Sequence, residues 1–252
     1  MQQVFVSDEQ LSVNHEYVTI TGDDAHHIRN VLRMRPGEEL RVSTESGSSF
    51  LCAIAEIGDS FVQADIRSDL ATTALPGVIR IFQAIPKGDR METVIEKVVE
   101  LGASEIIPVH MKYCVVRLDE KKAESRVKRW QAIAESAARQ SKRSIVPRVH
   151  APVSFEEALK ELSECAVRLI PYENEKGMSG TREALQKVRG KDSIGILIGP
   201  EGGFSEEEIR SAEKTGMRIS LGRRILRTDT AAIAVTAAVM LEIEEASDGS
   251  LS

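Results

Sequence analysis

The spacing of hydrophobic and polar positions divides the chain into two parts. Up to about residue 70, short alternating stretches are separated by glycines, a pattern typical of a small β-barrel or sandwich. The strands predicted there are 17–20, 39–42, 50–55 and 61–66. Beyond a stretch containing Pro76 and Gly77, apolar strands alternate with amphipathic helices, which predicts a parallel α/β sheet. The strands predicted for this sheet are 78–85, 105–109, 166–171, 194–198 and 218–221.

These patterns predict four segments along the chain: a β-rich domain over 1–70, a linker over 71–77, an α/β domain over 78–246 and a tail over 247–252. Helix ends are marked by polar residues. Asp89 with Glu92, and Ser205 with Glu208, have the spacing of capping boxes, and Gly102 is placed to end the first of these helices. The last helix, from about 230 to 245, starts so apolar that we expect it to be buried against a sheet or a second subunit.

Composition narrows the classes of protein. The 252 residues are 42% hydrophobic and 29% charged, which is typical of a globular protein. No apolar run is long enough for a membrane span and no leader pattern precedes the first strand, so we expect a cytoplasmic protein with no membrane role. Cys52, Cys114 and Cys165 are far apart and form no CxxC pair. They predict buried thiols, with neither a disulfide framework nor a metal site.

The net charge of -6 hides a local basic segment. Residues 121–143 contain eight basic residues and two acidic ones. Such a strip suits contact with a polyanion such as RNA, because phosphate contacts need only one face of the protein. The same charges also fit a solvated helix face, and charge alone does not separate these two interpretations.

A Gly-rich turn follows the predicted strand 194–198 and leads into a capped helix: Gly199-Pro200-Glu201-Gly202-Gly203. Ligands of α/β sheets bind at such strand ends. The turn lacks the GxGxxG spacing and the Lys-Ser or Lys-Thr pair of phosphate loops, and carboxylates crowd the helix start at 206–208. NAD, ATP and GTP are therefore disfavoured, whereas a nucleoside cofactor with a positive sulfonium is compatible. The alternative is an ordinary tight connection between strand and helix.

A second unusual turn spans 220–230, where Arg223, Arg224 and Arg227 precede the last helix. Arginines near a helix N-terminus oppose the helix dipole, so another partner should compensate them. An RNA phosphate or a reacting base is one such partner. Pairing with a carboxylate such as Glu201 is the other.

These two turns, together with segments 26–33, 87–92, 100–102 and 139–143, resemble the ribosomal RNA small subunit methyltransferase E (RsmE) family of the SPOUT class. The resemblance covers nearly the whole chain. It implies a PUA-like or OB-like β-barrel that helps to bind RNA, followed by an α/β domain with a trefoil knot. It also implies a homodimer that uses S-adenosylmethionine to methylate N3 of a uridine in the decoding region of 16S rRNA, within the small ribosomal subunit. Such an enzyme acts in rRNA processing and ribosome biogenesis.

The resemblance also assigns residues. The knot loops would be 170–173, 198–203 and 220–228. The implied cofactor-binding residues are Ile170, Pro171, Tyr172, Ile198, Gly199, Pro200, Glu201, Gly202, Gly203, Ser220, Leu221, Gly222, Ile225, Leu226, Arg227 and Thr228. The implied RNA-binding residues are His27, Arg29, Arg33, Arg35, Lys87, Arg90, Arg139, Gln140, Lys142, Arg143 and Arg224. For catalysis we expect Arg227 to stabilise developing negative charge, and Asp229 or Glu201 to accept a proton.

The chain departs from the family pattern at Arg223, where proline is common, and at Asp229 and Arg139, where glutamate is usual. His26 and His27 lack partner ligands, so we expect one to pack structurally and the other to lie near RNA. Three other functions stay open. These are methylation of another RNA such as tRNA, RNA binding without catalysis, and an oxidoreductase, which would need the phosphate loop that the sequence lacks.

Overall fold

The computed structural model describes residues 1–248, which cluster into two compact units. Unit 1 comprises Met1–Ala74 and Ala138–Val146, and unit 2 comprises Leu75–Ala137 and the chain from Pro147 onwards. Part of the predicted tail, residues 249–252, lies outside the described residues. Of the helices within residues 1–248, none is both long and apolar enough to cross a membrane.

Unit 1 is built on one five-stranded sheet in the order β1-β3-β4-β5-β2. Strands β1 and β3 pair in parallel, and the other neighbouring strands pair antiparallel. The elements are β1 (Gln2–Val6), β2 (Tyr17–Thr21), α1 (Gly22–His26), β3 (Glu39–Thr44), β4 (Ser49–Ile57) and β5 (Phe61–Asp69). Alternating residues such as Val18 and Ile20 fill one core, which is why the alternation predicted these strands. Strand β1 was not predicted.

The segment Ala138–Val146 belongs to unit 1 although it is far from the other residues of that unit in sequence. The side chain of Gln3 donates a hydrogen bond of 2.7 Å to the carbonyl of Arg143. The backbone amide of Thr73 donates to Ser144 Oγ at 3.0 Å, and the backbone amide of Ser144 donates to Thr73 Oγ1 at 2.8 Å. These contacts differ from the contiguous division that the sequence pattern predicted, because a pattern along the chain cannot show a return to an earlier unit.

Unit 2 contains a seven-stranded parallel sheet, which confirms the predicted α/β class. Its order is β12-β10-β11-β6-β7-β8, with β9 also paired to β7. The strands are β6 (Val78–Ala84), β7 (Glu105–His110), β8 (Arg148–Val149), β9 (Val153–Ser154), β10 (Val167–Pro171), β11 (Ser193–Ile198) and β12 (Met217–Ile219). The helices are α2 (Arg90–Glu100), α3 (Glu120–Gln140), α4 (Phe155–Ser163), α5 (Ser179–Gln186), α6 (Glu206–Thr215) and α7 (Thr228–Asp248). Strands β8 and β9 have two residues each and were too short to predict.

Helix ends test the capping predictions. Ser205 and Glu208 form both hydrogen bonds of a capping box at the start of α6, as predicted. The capping box predicted for Asp89 and Glu92 is wrong, because the side chain of Asp89 makes no capping hydrogen bond. Glu92 instead accepts a 2.8 Å hydrogen bond from Arg129 of α3. Gly102 follows α2 with a φ of +97°, so the predicted glycine stop is confirmed.

The three cysteines are buried and free, as predicted. Burial raises the pKa of the Cys52 thiol to about 12 and also raises the pKa values of Cys114 and Cys165. These thiols are therefore protonated at neutral pH, and they behave as small apolar side chains rather than as nucleophiles.

Candidate active site at the carboxyl ends of three strands

Three loops of unit 2 meet at one edge of the parallel sheet. Strand β10 lies between β12 and β11 and pairs in parallel with both. The carboxyl ends of the three strands therefore point the same way, and the loops that follow them converge. These loops begin near Tyr172, Gly199 and Ser220. The two turns that the sequence singled out are thus brought together with a third.

The turn after β11 depends on glycines because other chain segments approach it closely. A Cβ atom at Gly199 would lie 2.7 Å from the ring of Phe204, and one at Gly202 would lie 2.8 Å from Cβ of Tyr113. Gly203 has a φ of +74°, and its amide donates to the carbonyl of Pro200 at 2.9 Å. Neighbouring side chains therefore require glycine at Gly199 and Gly202, and the backbone conformation favours it at Gly203.

The turn after β12 is fixed at both ends. Ser220 is held by Thr181, whose hydroxyl accepts from the Ser220 amide and donates to the Ser220 carbonyl, both at 2.9 Å. At the other end, Thr228 Oγ1 donates to the carbonyl of Gly199 at 2.8 Å and accepts from the side-chain amide of Gln83 at 2.9 Å. The Thr228 hydroxyl therefore links the two Gly-containing turns to strand β6.

The loops enclose a cavity of about 450 Å³, within the usual range for small-molecule sites. It is lined by Pro171, Tyr172, Glu173, residues 198–204, residues 221–228 and Ala231. Fourteen of the sixteen predicted cofactor residues are in this lining. Ile170 and Ser220 are not, because both are buried behind it. Sequence reasoning did not assign Glu173, Phe204, Arg223 or Ala231 to the cofactor. Glu173 is the last residue of the predicted loop 170–173, and this position in the sequence could have indicated that it lines the cavity.

The three predicted catalytic residues occupy different environments. Arg227 is exposed on the cavity lining. Glu201 also lines the cavity, and its Oε1 accepts from Arg90 Nη1 at 2.7 Å and from the Lys87 amide at 3.0 Å. Asp229 lies in the first turn of α7, outside the lining, with a buried Oδ1 that has no hydrogen-bond partner among the described residues.

The arginines of the second turn are not compensated by Glu201. The side chains of Arg223, Arg224 and Arg227 are exposed, and within residues 1–248 none of them makes an ion pair. Glu201 is instead engaged by Arg90. The alternative that these arginines pair with Glu201 is therefore wrong, and their charge is available to a ligand.

The residues predicted to contact RNA in unit 1 are mostly exposed. His27, Arg29, Arg33 and Arg35 all face solvent, and Arg29 Nη1 also lies 3.5 Å from Asp59 Oδ1. His26 is exposed as well, so the expectation that one of the two histidines packs structurally is wrong. His26 ends the short helix α1, and His27 begins the π-helical turn His27–Val31. Ala25 and Ile28 are the buried residues of these two elements.

The basic segment 121–143 is only partly free. Arg129 pairs with Glu92, and Arg139 Nη2 lies 3.3 Å from Asp24 Oδ1. Lys142 donates to the carbonyl of Met1 at 2.8 Å, and Gln140 is exposed. Arg143 is buried, which lowers the pKa of its guanidinium to about 10. Its prediction as an RNA contact is therefore corrected: its side chain supports the interior of unit 1.

Each of the two units contains a match to a family of known proteins. A family model described as an RNA methyltransferase domain matches residues 73–240, and one described as an RNA methyltransferase PUA domain matches residues 20–67. The chain is 35% identical to the ribosomal RNA small subunit methyltransferase E of Bacillus subtilis over 90% of each chain. It is 29% identical to the protein of the same name from Mycobacterium tuberculosis, over 87% of this chain and 84% of that one.

A solved structure agrees with these matches. The crystal structure of a ribosomal RNA small subunit methyltransferase E from Neisseria gonorrhoeae, bound to S-adenosyl methionine, superposes with a TM-score of 0.81. That protein is 32% identical to this chain, and the alignment covers 96% of this chain and 97% of the other. The similarity therefore extends over both units.

Proposed function

Because the chain belongs to the ribosomal RNA small subunit methyltransferase E family, we propose that it transfers a methyl group from S-adenosylmethionine to N3 of a uridine in 16S rRNA. The observation that carries the proposal is the cavity of unit 2, where two Gly-containing turns and a third loop converge without any phosphate-binding loop. The Neisseria relative, which was crystallised with S-adenosyl methionine, supports the choice of cofactor.

The residues present fit such a cofactor. Gly199, Gly202, Leu221 and Leu226 line the cavity, and their backbone groups would be the partners of uncharged adenine and ribose groups. Added Cβ atoms at Gly199 and Gly202 would overlap the side chains of Phe204 and Tyr113, so both positions of the turn require glycine. Glu173 also lines the cavity, and its negative charge would attract a positive sulfonium placed near it.

The reaction requires a proton to leave N3 of the uracil ring. When bound, S-adenosylmethionine supplies an electrophilic methyl group, which N3 takes with its lone pair while the sulfur keeps the electrons of the broken bond. The N3 proton must pass to a base, and the developing imide anion needs a nearby cation. Arg227 is on the cavity lining and has no carboxylate partner among the described residues, so we assign it the stabilising role.

Two carboxylates are candidates for the proton acceptor. Glu201 lines the cavity, but its Oε1 is already engaged by Arg90 and by the Lys87 amide. Asp229 has a buried oxygen without a partner, yet it is not on the cavity lining. Both carboxylates are tested as proton acceptors. We expect the pH profile of the rate to change for only one of the variants Glu201→Gln and Asp229→Asn, and that variant identifies the acceptor.

We further propose that the active form is a homodimer. Helix α7 is apolar on most sides, and Ile233, Ala237 and Leu241 share one face because they are four residues apart. Leu241 is exposed, and the other two are half-buried. A second copy would remove this apolar surface from water. Sedimentation equilibrium should therefore give the mass of two chains, whereas the mass of one chain at micromolar concentration would contradict the proposal.

The function is tested by methyl transfer to defined RNA. Labelled S-adenosylmethionine is incubated with the protein and either unmethylated small ribosomal subunits or bulk tRNA, and the labelled nucleoside is then mapped by mass. We expect 3-methyluridine in 16S rRNA and no label in tRNA. Label in tRNA alone would move the substrate to another RNA. No transfer to either, combined with no cofactor binding, would contradict the enzymatic function.

A further inference from the structure

Ile225 is an apolar side chain held out into solvent at the cavity. It is 87% exposed, and among the large hydrophobic residues that the structure describes only Val13 is more exposed, at 99%. Single exposed hydrophobic residues are common on protein surfaces and by themselves need no explanation. Ile225 differs from such residues in its position, because it belongs to the loop that forms one wall of the cavity.

The neighbours of Ile225 are cationic. Arg223 and Arg224 precede it, and Arg227 follows two residues later. All three guanidinium groups are exposed and without an ion pair among the described residues. The loop therefore presents an aliphatic tip surrounded by three unneutralised positive charges. A nucleic acid has the complementary chemistry, with phosphates for the arginines and apolar base faces for the isoleucine.

The loop is also held at both ends. Ser220 is bound through the hydroxyl of Thr181, and Thr228 is bound to Gly199 and Gln83. Between these anchors the chain has no regular secondary structure, and Leu226 is half-buried while Ile225 is exposed. Fixed anchors limit how far the loop can fold back onto the protein to bury the isoleucine. In the single chain, the loop therefore holds Ile225 exposed between two fixed ends.

The proposed reaction creates a need for such a side chain. N3 lies on the pairing edge of uracil, inside the stack, so the target nucleotide must leave the stack before its N3 can face the cofactor. Extrusion leaves a gap between the neighbouring bases. Proteins that deform nucleic acids fill such gaps with apolar wedges, among them isoleucine.

We propose that Ile225 is this wedge: it enters the RNA stack at the place that the target uridine leaves, and it holds the uridine extruded toward the cavity. The inference rests on the proposed methyl transfer to RNA. It makes Ile225 a positioning residue rather than the cofactor-binding residue that the resemblance implied, since its side chain would contact the neighbouring bases and neither the cofactor nor the reacting atoms. Arg223 and Arg224, which precede it, would hold phosphates of the RNA, while Arg227 faces the uracil ring.

The first test is kinetic. We expect Ile225→Ala to lower the single-turnover rate on unmethylated small subunits by about 10- to 100-fold, since the wedge stabilises the extruded state and unstacking costs a few kcal/mol. The Kd for S-adenosylmethionine and the KM for subunits should change less than about threefold, because a wedge acts on extrusion rather than on either binding step. Ile225→Leu, which keeps the side-chain volume, should retain most of the rate, and Val13→Ala is the control for loss of an exposed aliphatic side chain.

The second measurement reports extrusion directly. Small subunits are reconstituted with 2-aminopurine beside the mapped uridine, and its fluorescence should rise on binding of the unsubstituted protein but not of Ile225→Ala. A weaker Kd for S-adenosylmethionine in Ile225→Ala would overturn the wedge in favour of a lid on the cofactor. A fall to the mass of one chain in sedimentation would overturn it in favour of contact with a second copy. An unchanged rate and an unchanged fluorescence rise would leave Ile225 without a role in extrusion.

The unsubstituted protein separates the two proposals. If it transfers no methyl to subunits or tRNA, the proposed function fails, and the wedge fails with it. If it transfers methyl at the same rate as Ile225→Ala, only the wedge fails.

Discussion

Replacing Arg227 by alanine should lower kcat for methyl transfer to small subunits by about 100- to 1,000-fold, which is the usual cost of removing a group that stabilises transition-state charge. Arg227 lies on the cavity lining with no ion pair within residues 1–248, so its full charge is available to the uracil ring as N3 loses its proton. The Kd for S-adenosylmethionine should stay within about threefold, because we assign the Arg227 guanidinium to the uracil ring rather than to the cofactor, whose sulfonium would repel it. Single-turnover kinetics and calorimetry measure the two quantities.

The loop itself contains the matched control. Arg224 is exposed and unpaired like Arg227, and we assign it to RNA phosphates rather than to the reacting base. Arg224→Ala should therefore raise KM for subunits with little change in kcat, because a phosphate contact stabilises the ground state and the transition state equally. Arg227→Lys should be intermediate, since lysine keeps the charge but loses the planar donor pair. If Arg227→Ala behaves like Arg224→Ala, the catalytic assignment is wrong.

The sequence pattern predicted the architecture because burial imposes a period on it. Strand β11 of unit 2 is buried on both faces and continuously apolar over Ile194–Ile198, so its type and position could be inferred from that apolar run. Strand β2 and the first part of β5 in unit 1 alternate because one face of each is buried. The two-residue strands β8 and β9, by contrast, have no period to detect.

The candidate site was predictable where backbone geometry demands a particular residue. Gly202 and Gly203 predicted a turn that other chain segments approach closely, and the structure shows the neighbouring residues that require glycine there. The pairing of Glu201 with Arg90 was not predictable, because it joins residues more than a hundred positions apart. The exposure of Ile225 could not be predicted either, because an isoleucine in a sequence normally predicts burial. Only the structure of the loop shows that this side chain is exposed.

The second large effect is expected at Thr228, whose buried hydroxyl joins the two turns of the cavity. Thr228→Val keeps the shape of the side chain but removes both hydrogen bonds. The Gly199 carbonyl loses its Thr228 partner, and the Gln83 side-chain amide keeps only its bond to the Ala84 carbonyl. Leaving buried polar groups unsatisfied costs about 1–3 kcal/mol each. We expect Tm to fall by about 4–8 °C for a loss near 2 kcal/mol. We also expect the affinity for S-adenosylmethionine to fall by about tenfold or more, because the turn at Gly199 is no longer held.

Thr228→Ser provides the control, because serine keeps the hydroxyl and loses only a methyl group. It should restore the affinity for S-adenosylmethionine to within about threefold of the unsubstituted protein, even if Tm stays slightly lower from the lost packing. Calorimetric titration and thermal unfolding of the three proteins separate the two contributions. Equal affinities for the valine and serine variants would mean that the hydroxyl does not hold the turns together. In that case the cavity would owe its shape to the glycines and to the anchoring of Ser220 by Thr181.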